Sequence, residues 1–232
     1  MTNTADTVDL AHRLAPGATD APAVSAPDRP TLTHGGLRRL IRETVAKMNE
    51  LGLGRGDRVA IVLPNGPEMA TSFVAVAASA STAPLNPAYR ADELDFYLTD
   101  IGAKAILVSA DESGPAVTVA ERLGIAVLRL GGPAGAPAGS FVIEGPSVGP
   151  QAAPDMARDD DIALLLHTSG TTSRPKLVPL SHANVAASAR HIGATLGLSA
   201  ADRCLNIMPL FHIHGLIAAV LSSLAAGGSI YC

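Results

Sequence analysis

The chain has 232 residues, of which 47% are hydrophobic and 16% are charged. This composition is typical of one large or two small globular domains with an ample core, and it argues against a mostly disordered chain. With 17 Lys and Arg residues against 21 Asp and Glu residues, the formal net charge is -4. The sequence therefore offers no basic surface for nucleic acid.

Cysteine usage and hydropathy bear on the cellular location. Cys204 and Cys232 lack the Cys-x-x-Cys spacing of a metal or redox motif, which favours free thiols in a reducing compartment. Residues 1–10 have neither the basic start nor the apolar centre of a signal peptide, and the longest apolar run, residues 216–226, is too short to span a bilayer. We therefore expect a cytoplasmic protein without a membrane span.

The N-terminal half alternates predicted strands and helices. Residues 15–30 are rich in Ala and Pro without periodicity, which predicts that residues 1–30 are a surface lead-in outside the core. Apolar residues at helical spacing then predict a helix that Thr33 caps, with Arg38 on its solvated face. Strands are predicted at 58–63, 82–85, 103–108 and 125–130, and helices between them at 68–81, 91–100 and 116–123. This alternation predicts an α/β fold with a parallel sheet and helices on its faces.

The most informative stretch comprises residues 164–182. An apolar run at 162–166 predicts a buried strand, which leads into six residues rich in Ser, Thr and Gly before Arg174 and Lys176. Such a loop directs backbone N–H groups and hydroxyls at one anion, and the two cations add charge. The stretch therefore predicts a phosphate-binding loop, although it lacks the Gly-x-x-x-x-Gly-Lys-Ser/Thr spacing. A merely solvated loop is the alternative.

Downstream, residues 177–180 predict the return strand of a hairpin. Ser181 then caps a predicted helix at 183–196 that stops at Gly197, and His182 is interpreted as structural. A strand at 204–208, an apolar helix at 216–226 and a last strand from residue 229 follow. His212 and His214 lie between the first two of these, and a core histidine bonded to a carbonyl is an alternative for His214. Neither these histidines nor the acids at 159–161 have further ligands at metal spacing, so we assign no metal site.

The order of residues in the loop carries a family resemblance. Thr168-Ser169-Gly170-Thr171-Thr172, then Pro175-Lys176 and Ser181-His182, resembles the signature of the adenylate-forming enzymes. That family comprises AMP-forming acyl-CoA synthetases, peptide-synthetase adenylation domains and luciferases. The likeness covers about residues 30–232 and includes Pro84-Leu85-Asn86-Pro87. The usual pattern has Gly at the positions of Ser173 and Leu177, and Ser173 resembles the variant in oxalate-CoA ligases.

The resemblance implies a reaction and residue roles. ATP, with Mg²⁺, and a carboxylic acid would give an acyl-adenylate, from which coenzyme A displaces AMP. The implied nucleotide-binding residues are Thr168, Ser169, Gly170, Thr171, Thr172, Ser173, Arg174 and Lys176. Lys176 and His212 are the implied catalytic residues, and His212, His214 and Gly215 border the implied acid pocket, with Gly215 allowing the next helix to approach closely. A small acid, with oxalate as first choice, is the implied substrate.

The implied fold consists of the layered α/β subdomains of the adenylate-forming N-terminal domain, of which residues 31–232 would be an incomplete part. Because the chain ends within a predicted strand, we expect a longer enzyme and an inactive fragment. The Mg²⁺-binding acid, the ribose-binding Asp, the hinge and the C-terminal domain with its Lys would then lie further on. The alternatives are a medium-chain, long-chain or aryl-CoA ligase, a domain that loads a carrier protein, and a homologue without catalysis. The oligomeric state is left open.

Overall fold

The computed structural model describes residues 10–150, 155–168 and 175–232. Its helices are α1 (Leu10–Leu14), α2 (His34–Glu50), α3 (Pro67–Ala77), α4 (Ala91–Ile101), α5 (Pro115–Arg122), α6 (His182–Leu196), a π-helix (His214–Leu221) and α7 (Ser222–Ala225). Its strands are β1 (Pro22–Ser25), β2 (Leu32–Thr33), β3 (Arg58–Val62), β4 (Ser81–Pro84), β5 (Ala105–Ser109), β6 (Ala126–Gly131), β7 (Val142–Glu144), β8 (Ile162–Thr168), β9 (Lys176–Ser181), β10 (Arg203–Leu205) and β11 (Ser229–Tyr231). No described helix is both long enough and apolar enough to cross a bilayer.

In the described ranges, seven strands form the larger sheet, in the order β7-β6-β5-β3-β4-β8-β9. The strands from β6 to β8 in this order are parallel, whereas β7 and β9 at the two edges are antiparallel to their neighbours. The chain passes from β3 to β4 on one side and then to β5 on the other. The predicted α/β fold with a parallel sheet is confirmed.

Two buried clusters lie on opposite faces of this sheet. Because side chains alternate along a strand, Val59 and Ile61 join the larger cluster with α2 and α3, whereas Ala60 and Val62 pack with α4 and α5. All four side chains are buried. A strand buried on both faces reads as a continuous apolar run, which is why β3 was predictable from the sequence.

A second, four-stranded sheet of the described residues has the order β10-β11-β1-β2, and it corrects the expectation for residues 15–30. That segment is not a surface lead-in, because β1 pairs with β11 on one side and β2 on the other. Ala23 and Val24 in β1 are fully buried. A strand of four residues that begins with Pro22 is too short to show a recognisable period, so the local sequence gave no signal for it.

Arg38 also differs from its expected position on the solvated face of α2. Its side chain is buried, and the guanidinium donates to the carbonyl oxygens of Ala15 (2.6 Å) and Gly17 (2.9 Å) and to Thr19 Oγ1 (3.0 Å). A buried cation requires such acceptors. These three bonds fasten the segment before β1 to α2.

The strands β8 and β9 form the predicted hairpin, with a register that runs from Ile162 opposite Ser181 to Thr168 opposite Lys176. Ser181 Oγ accepts from the backbone N–H of Asn184 and begins α6, and Gly197 ends it with a left-handed φ of 65°. Both helix caps predicted from the sequence are therefore confirmed. The hairpin and α6 together hold the stretch that carries the candidate site.

Candidate functional site

The last cross-strand pair of the β8–β9 hairpin closes the base of the predicted phosphate loop. Thr168 Oγ1 lies 3.4 Å from the backbone nitrogen of Lys176 and 3.5 Å from its carbonyl oxygen, and both residues are exposed. The other predicted ligands, Ser169, Gly170, Thr171, Thr172, Ser173 and Arg174, lie outside the described residues. The structure therefore brings together the two ends of the loop, Thr168 and Lys176, at a position open to solvent.

His182 follows this hairpin as the first residue of α6 and is structural, as predicted. The residue is 5% exposed, and Nε2 donates to the carbonyl oxygen of Ala77 at 2.9 Å. Burial lowers the pKa of His182, since desolvation disfavours the imidazolium. Ala77 is the last residue of α3, so the bond satisfies a carbonyl that the helix itself leaves unpaired.

The second predicted cluster lies in residues 209–215, called the histidine segment here, which follow β10 and include the first two residues of the π-helix. His212 and His214 are both exposed, and the backbone N–H of His214 points at His212 Nδ1 from 3.3 Å. The alternative that His214 is a core histidine is therefore wrong. Gly215 is buried, and a Cβ added there would lie 2.5 Å from the carbonyl oxygen of Pro209. The close approach predicted at Gly215 is thus confirmed.

Asn65 connects the histidine segment to the larger sheet, a role that was not predicted from the sequence. Its Oδ1 accepts from the backbone N–H of Leu210 at 2.9 Å. Asn65 follows β3, and parallel strands have their carboxyl ends at one edge of a sheet, so Thr168 at the carboxyl end of β8 lies at the same edge. Only β4 separates β3 from β8, so these two strands are about 10 Å apart. Thr168 and the histidine segment therefore lie at the same edge of the sheet.

The residue just before the loop, His167, is a second group that sequence reasoning did not single out. Its Nε2 lies 2.9 Å from Asp100 Oδ2, and its ring meets the edge of Tyr97 at 4.7 Å between centroids. The available signal was a polar residue that interrupts an apolar strand. Its partner on α4 could not be identified from local spacing.

Two of the acids at 159–161 form ion pairs, Asp159 with Arg13 and Asp161 with Arg55. Asp161 accepts from Arg55 at 2.6 and 3.1 Å, and this contact holds the pKa of Asp161 below its usual value. Asp159 pairs with Arg13, which likewise lowers the pKa of Asp159. Across the described residues, no group of three His, Cys, Asp or Glu side chains could hold a metal ion.

Comparisons with known proteins identify a related family and related structures. Residues 11–232 match the model of the family described as AMP-binding enzyme. The oxalate-CoA ligase of Arabidopsis thaliana is 41% identical over 214 residues, which are 91% of this chain and 42% of that protein. The oxalate-CoA ligase of Saccharomyces cerevisiae is 37% identical over 199 residues, which are 76% of this chain and 37% of that protein.

Among solved structures, apo MatB from Rhodopseudomonas palustris superposes with a TM-score of 0.78 at 26% identity. The superposition covers 96% of this chain and 44% of that one. The chain thus spans about two fifths of the length of the curated relatives that it matches.

Proposed function

The chain belongs to the family of AMP-binding enzymes, and we propose that it is the N-terminal part of an AMP-forming acid-CoA ligase whose preferred acid is small, with oxalate as first choice. The observation that carries the proposal is the likeness to two oxalate-CoA ligases over most of the chain. The pairing of Thr168 with Lys176 supports it, because it brings together the first residue of the family signature and the lysine of that signature.

In the proposed reaction, a carboxylate oxygen of the acid attacks the α-phosphorus of ATP and pyrophosphate leaves. The thiol of coenzyme A, losing its proton, then attacks the acyl carbon and AMP leaves. Such phosphoryl chemistry depends mainly on positioning and on neutralising the charge of the departing pyrophosphate. In this proposal the Lys176 ammonium and the Thr168 hydroxyl perform that task from the loop base, together with the residues at 169–174.

Mg²⁺ is proposed to enter with the nucleotide. This ion takes oxygen ligands and keeps several from phosphates and water rather than from a protein cage. The Thr168 hydroxyl, exposed at the loop base, is an oxygen donor of the kind that it accepts. No step of the reaction is assigned to a protein ligand of the ion.

The acid is proposed to lie beside the histidine segment. His212 and His214 are exposed, and Gly215, the second residue of the π-helix, lies close to the carbonyl oxygen of Pro209 because it has no side chain. A dianionic acid needs a cation or hydrogen-bond donors for the carboxylate that does not react, since an unpaired buried charge is costly. We propose that His212 borders the reacting centre and that His214 contributes to the remaining wall.

Residues 31–232 are proposed to be part of the adenylation domain, and the C-terminal domain would belong to the longer protein. The proposed domain also includes β1, because β1 lies in the four-stranded sheet beside β11, so the predicted division at residue 30 is not kept. The cytoplasmic location stays a prediction. On this proposal the 232-residue piece does not turn over by itself.

The proposal is tested by assaying the full-length protein against oxalate and against short-chain, medium-chain, long-chain and aryl acids. ATP-pyrophosphate exchange reports the first step, and formation of the CoA thioester reports the second. A preference for any acid of six or more carbons over oxalate contradicts the substrate assignment alone. Exchange without use of free coenzyme A favours a domain that loads a carrier protein, and no exchange with any acid contradicts the ligase.

Lys176→Ala in the full-length protein should lower the exchange rate about a hundredfold, the loss expected when a transition-state charge contact worth about 3 kcal/mol is removed. The melting temperature should change little, because Lys176 is exposed. Lys47→Ala is the control, since Lys47 is a partly exposed lysine on α2 that pairs with Glu50. An unchanged exchange rate in Lys176→Ala would contradict the catalytic role proposed for this residue.

A further inference from the structure

The contact between His167 and Asp100 joins the loop hairpin to α4. His167 Nε2 donates to Asp100 Oδ2 at 2.9 Å, with 8% of the His167 side chain and 42% of the Asp100 side chain exposed. His167 is the penultimate residue of β8, and Asp100 is the penultimate residue of α4. The imidazole is thus held from the helix at the point where the strand enters the loop.

The register of the hairpin places this contact next to Lys176. His167 is paired with Leu177, and the following pair is Thr168 with Lys176. Cross-strand partners lie on the same face of a sheet, and faces alternate along a strand. Leu177 packs against the cluster of α4 and α5, so the pair of His167 and Leu177 faces α4. The pair of His167 and Leu177 is therefore the last one that contacts α4, and it is the direct neighbour of the pair of Thr168 and Lys176.

Aromatic rings fix the plane of the imidazole. The ring of His167 meets the edge of Tyr97 at 4.7 Å between centroids, and Tyr97 is stacked on Tyr89 at 4.8 Å. Phe96 lies 6.2 Å from the His167 ring. With Nε2 bonded to Asp100 and the ring packed against Tyr97, the His167 side chain is held by two residues of α4.

The stability of α4 does not account for Asp100. A carboxylate in the last turn of a helix meets the negative end of the helix dipole, which is unfavourable. The acids that suit the dipole, Asp92 and Glu93, lie in the first turn. An apolar residue at position 167 would continue the apolar run of β8 and would need no partner, whereas a buried imidazole needs one and receives it from a defined direction.

We propose that Asp100 is a positioning residue that acts through His167 to hold the last pair of the hairpin, and with it Lys176, against the phosphates of the bound nucleotide. This inference rests on the proposed function. Asp100 itself contacts His167 and not the nucleotide. Its removal should therefore affect the use of ATP through the placement of Lys176.

The first test uses four variants of the full-length enzyme at this contact. Asp100→Ala removes the acceptor, whereas Asp100→Asn keeps an amide oxygen that can still accept. His167→Leu removes the donor, whereas His167→Gln keeps an amide N–H that can still donate. The matched control is Asp95→Ala, because Asp95 lies on the same helix with 43% of its side chain exposed and pairs with Arg122 away from the loop.

ATP-pyrophosphate exchange, the KM for ATP and the melting temperature are measured for each variant. Asp100→Ala and His167→Leu should lower kcat/KM about ten- to hundredfold, as small misplacements of a charged group do. Asp100→Asn and His167→Gln should recover most of that loss, and Asp95→Ala should resemble the wild type. Equal exchange in Asp100→Ala and Asp95→Ala overturns the proposal, as does a loss that follows the melting temperature and that the amide variants do not recover.

A double-mutant cycle separates positioning from an independent effect. Binding of a non-hydrolysable ATP analogue is titrated in Asp100→Ala, Lys176→Ala and the double variant. If Asp100 acts through Lys176, adding Asp100→Ala to Lys176→Ala should change the affinity for the analogue less than twofold. If the loss of affinity in the double variant instead equals the product of the losses in the two single variants, the proposal is overturned. If the wild type catalyses no exchange with any acid, the proposed function fails, and this titration still decides the role of Asp100.

Discussion

His182 makes the stability of this chain depend on pH, and the dependence follows from its burial. Burial lowers the pKa of His182, and burial also lowers the pKa of His34. Between the folded-state pKa and about 6.5, the unfolded chain binds more protons than the folded one. The free energy of unfolding therefore rises with pH in that window. The contribution is fully present above pH 6.5 and is lost as the pH falls towards the folded-state pKa.

The size of the effect is bounded by proton linkage. One group that is protonated only in the unfolded state changes the free energy of unfolding by about 1.4 kcal/mol per pH unit. With His182 and His34 both acting, the slope can reach about 2.7 kcal/mol per pH unit. His182→Gln removes one of the two titrations, and its amide can still donate to the Ala77 carbonyl that Nε2 reaches at 2.9 Å. The slope between pH 5 and 6.5 should therefore be smaller in His182→Gln than in the wild type.

Urea unfolding at constant ionic strength from pH 5.0 to 7.5 measures this slope in the wild type and in the variant. The matched control is His191→Gln, because His191 lies on the same helix and is exposed. We expect the control to keep the slope of the wild type. An undiminished slope in His182→Gln, or an equal reduction in His191→Gln, would refute the link between burial and the pH dependence.

Two further outcomes are expected in the histidine segment. Gly215→Ala should lower the free energy of unfolding by about 1–3 kcal/mol, because the added Cβ would lie 2.5 Å from the Pro209 carbonyl oxygen. The control is Gly149→Ala, where an added Cβ meets nothing within 4 Å. Equal urea midpoints for Gly215→Ala and Gly149→Ala would contradict that reasoning. His212→Ala in the full-length enzyme should raise the KM for the acid more than it weakens nucleotide binding, with His191→Ala as the control. A large fall in the melting temperature of His212→Ala would instead assign His212 a structural role.

Local patterns determined most of the larger sheet. The apolar runs of β3, β5 and β6 and the periodic helices between them predicted the parallel arrangement, since each element carries its signal within a few consecutive residues. The caps of α6 were equally local, because a Ser hydroxyl reaches a backbone N–H three residues on and Gly197 adopts a positive φ without a Cβ. The order of residues in the loop indicated the family for the same reason.

The four-stranded sheet could not be predicted in this way. β1 is a strand because β11, some two hundred residues further on, pairs with it, and nothing within β1 itself specifies that partner. Arg38 was placed in solvent because helical periodicity describes one helix at a time. Its three acceptors come from the segment before β1, which folds back over α2.

The candidate site divides along the same line. Residue types and their order predicted Thr168, Lys176, His212 and Gly215 as site residues, because the functional groups of a loop come from residues that are close together in the sequence. The contacts that place them join residues far apart in the chain: Asp100 lies 67 positions before His167, and Asn65 lies 145 positions before Leu210. Such contacts form only when packed strands bring distant segments to one edge of a sheet. They cannot be predicted from short-range periodicity, because it depends only on residues that are close in sequence.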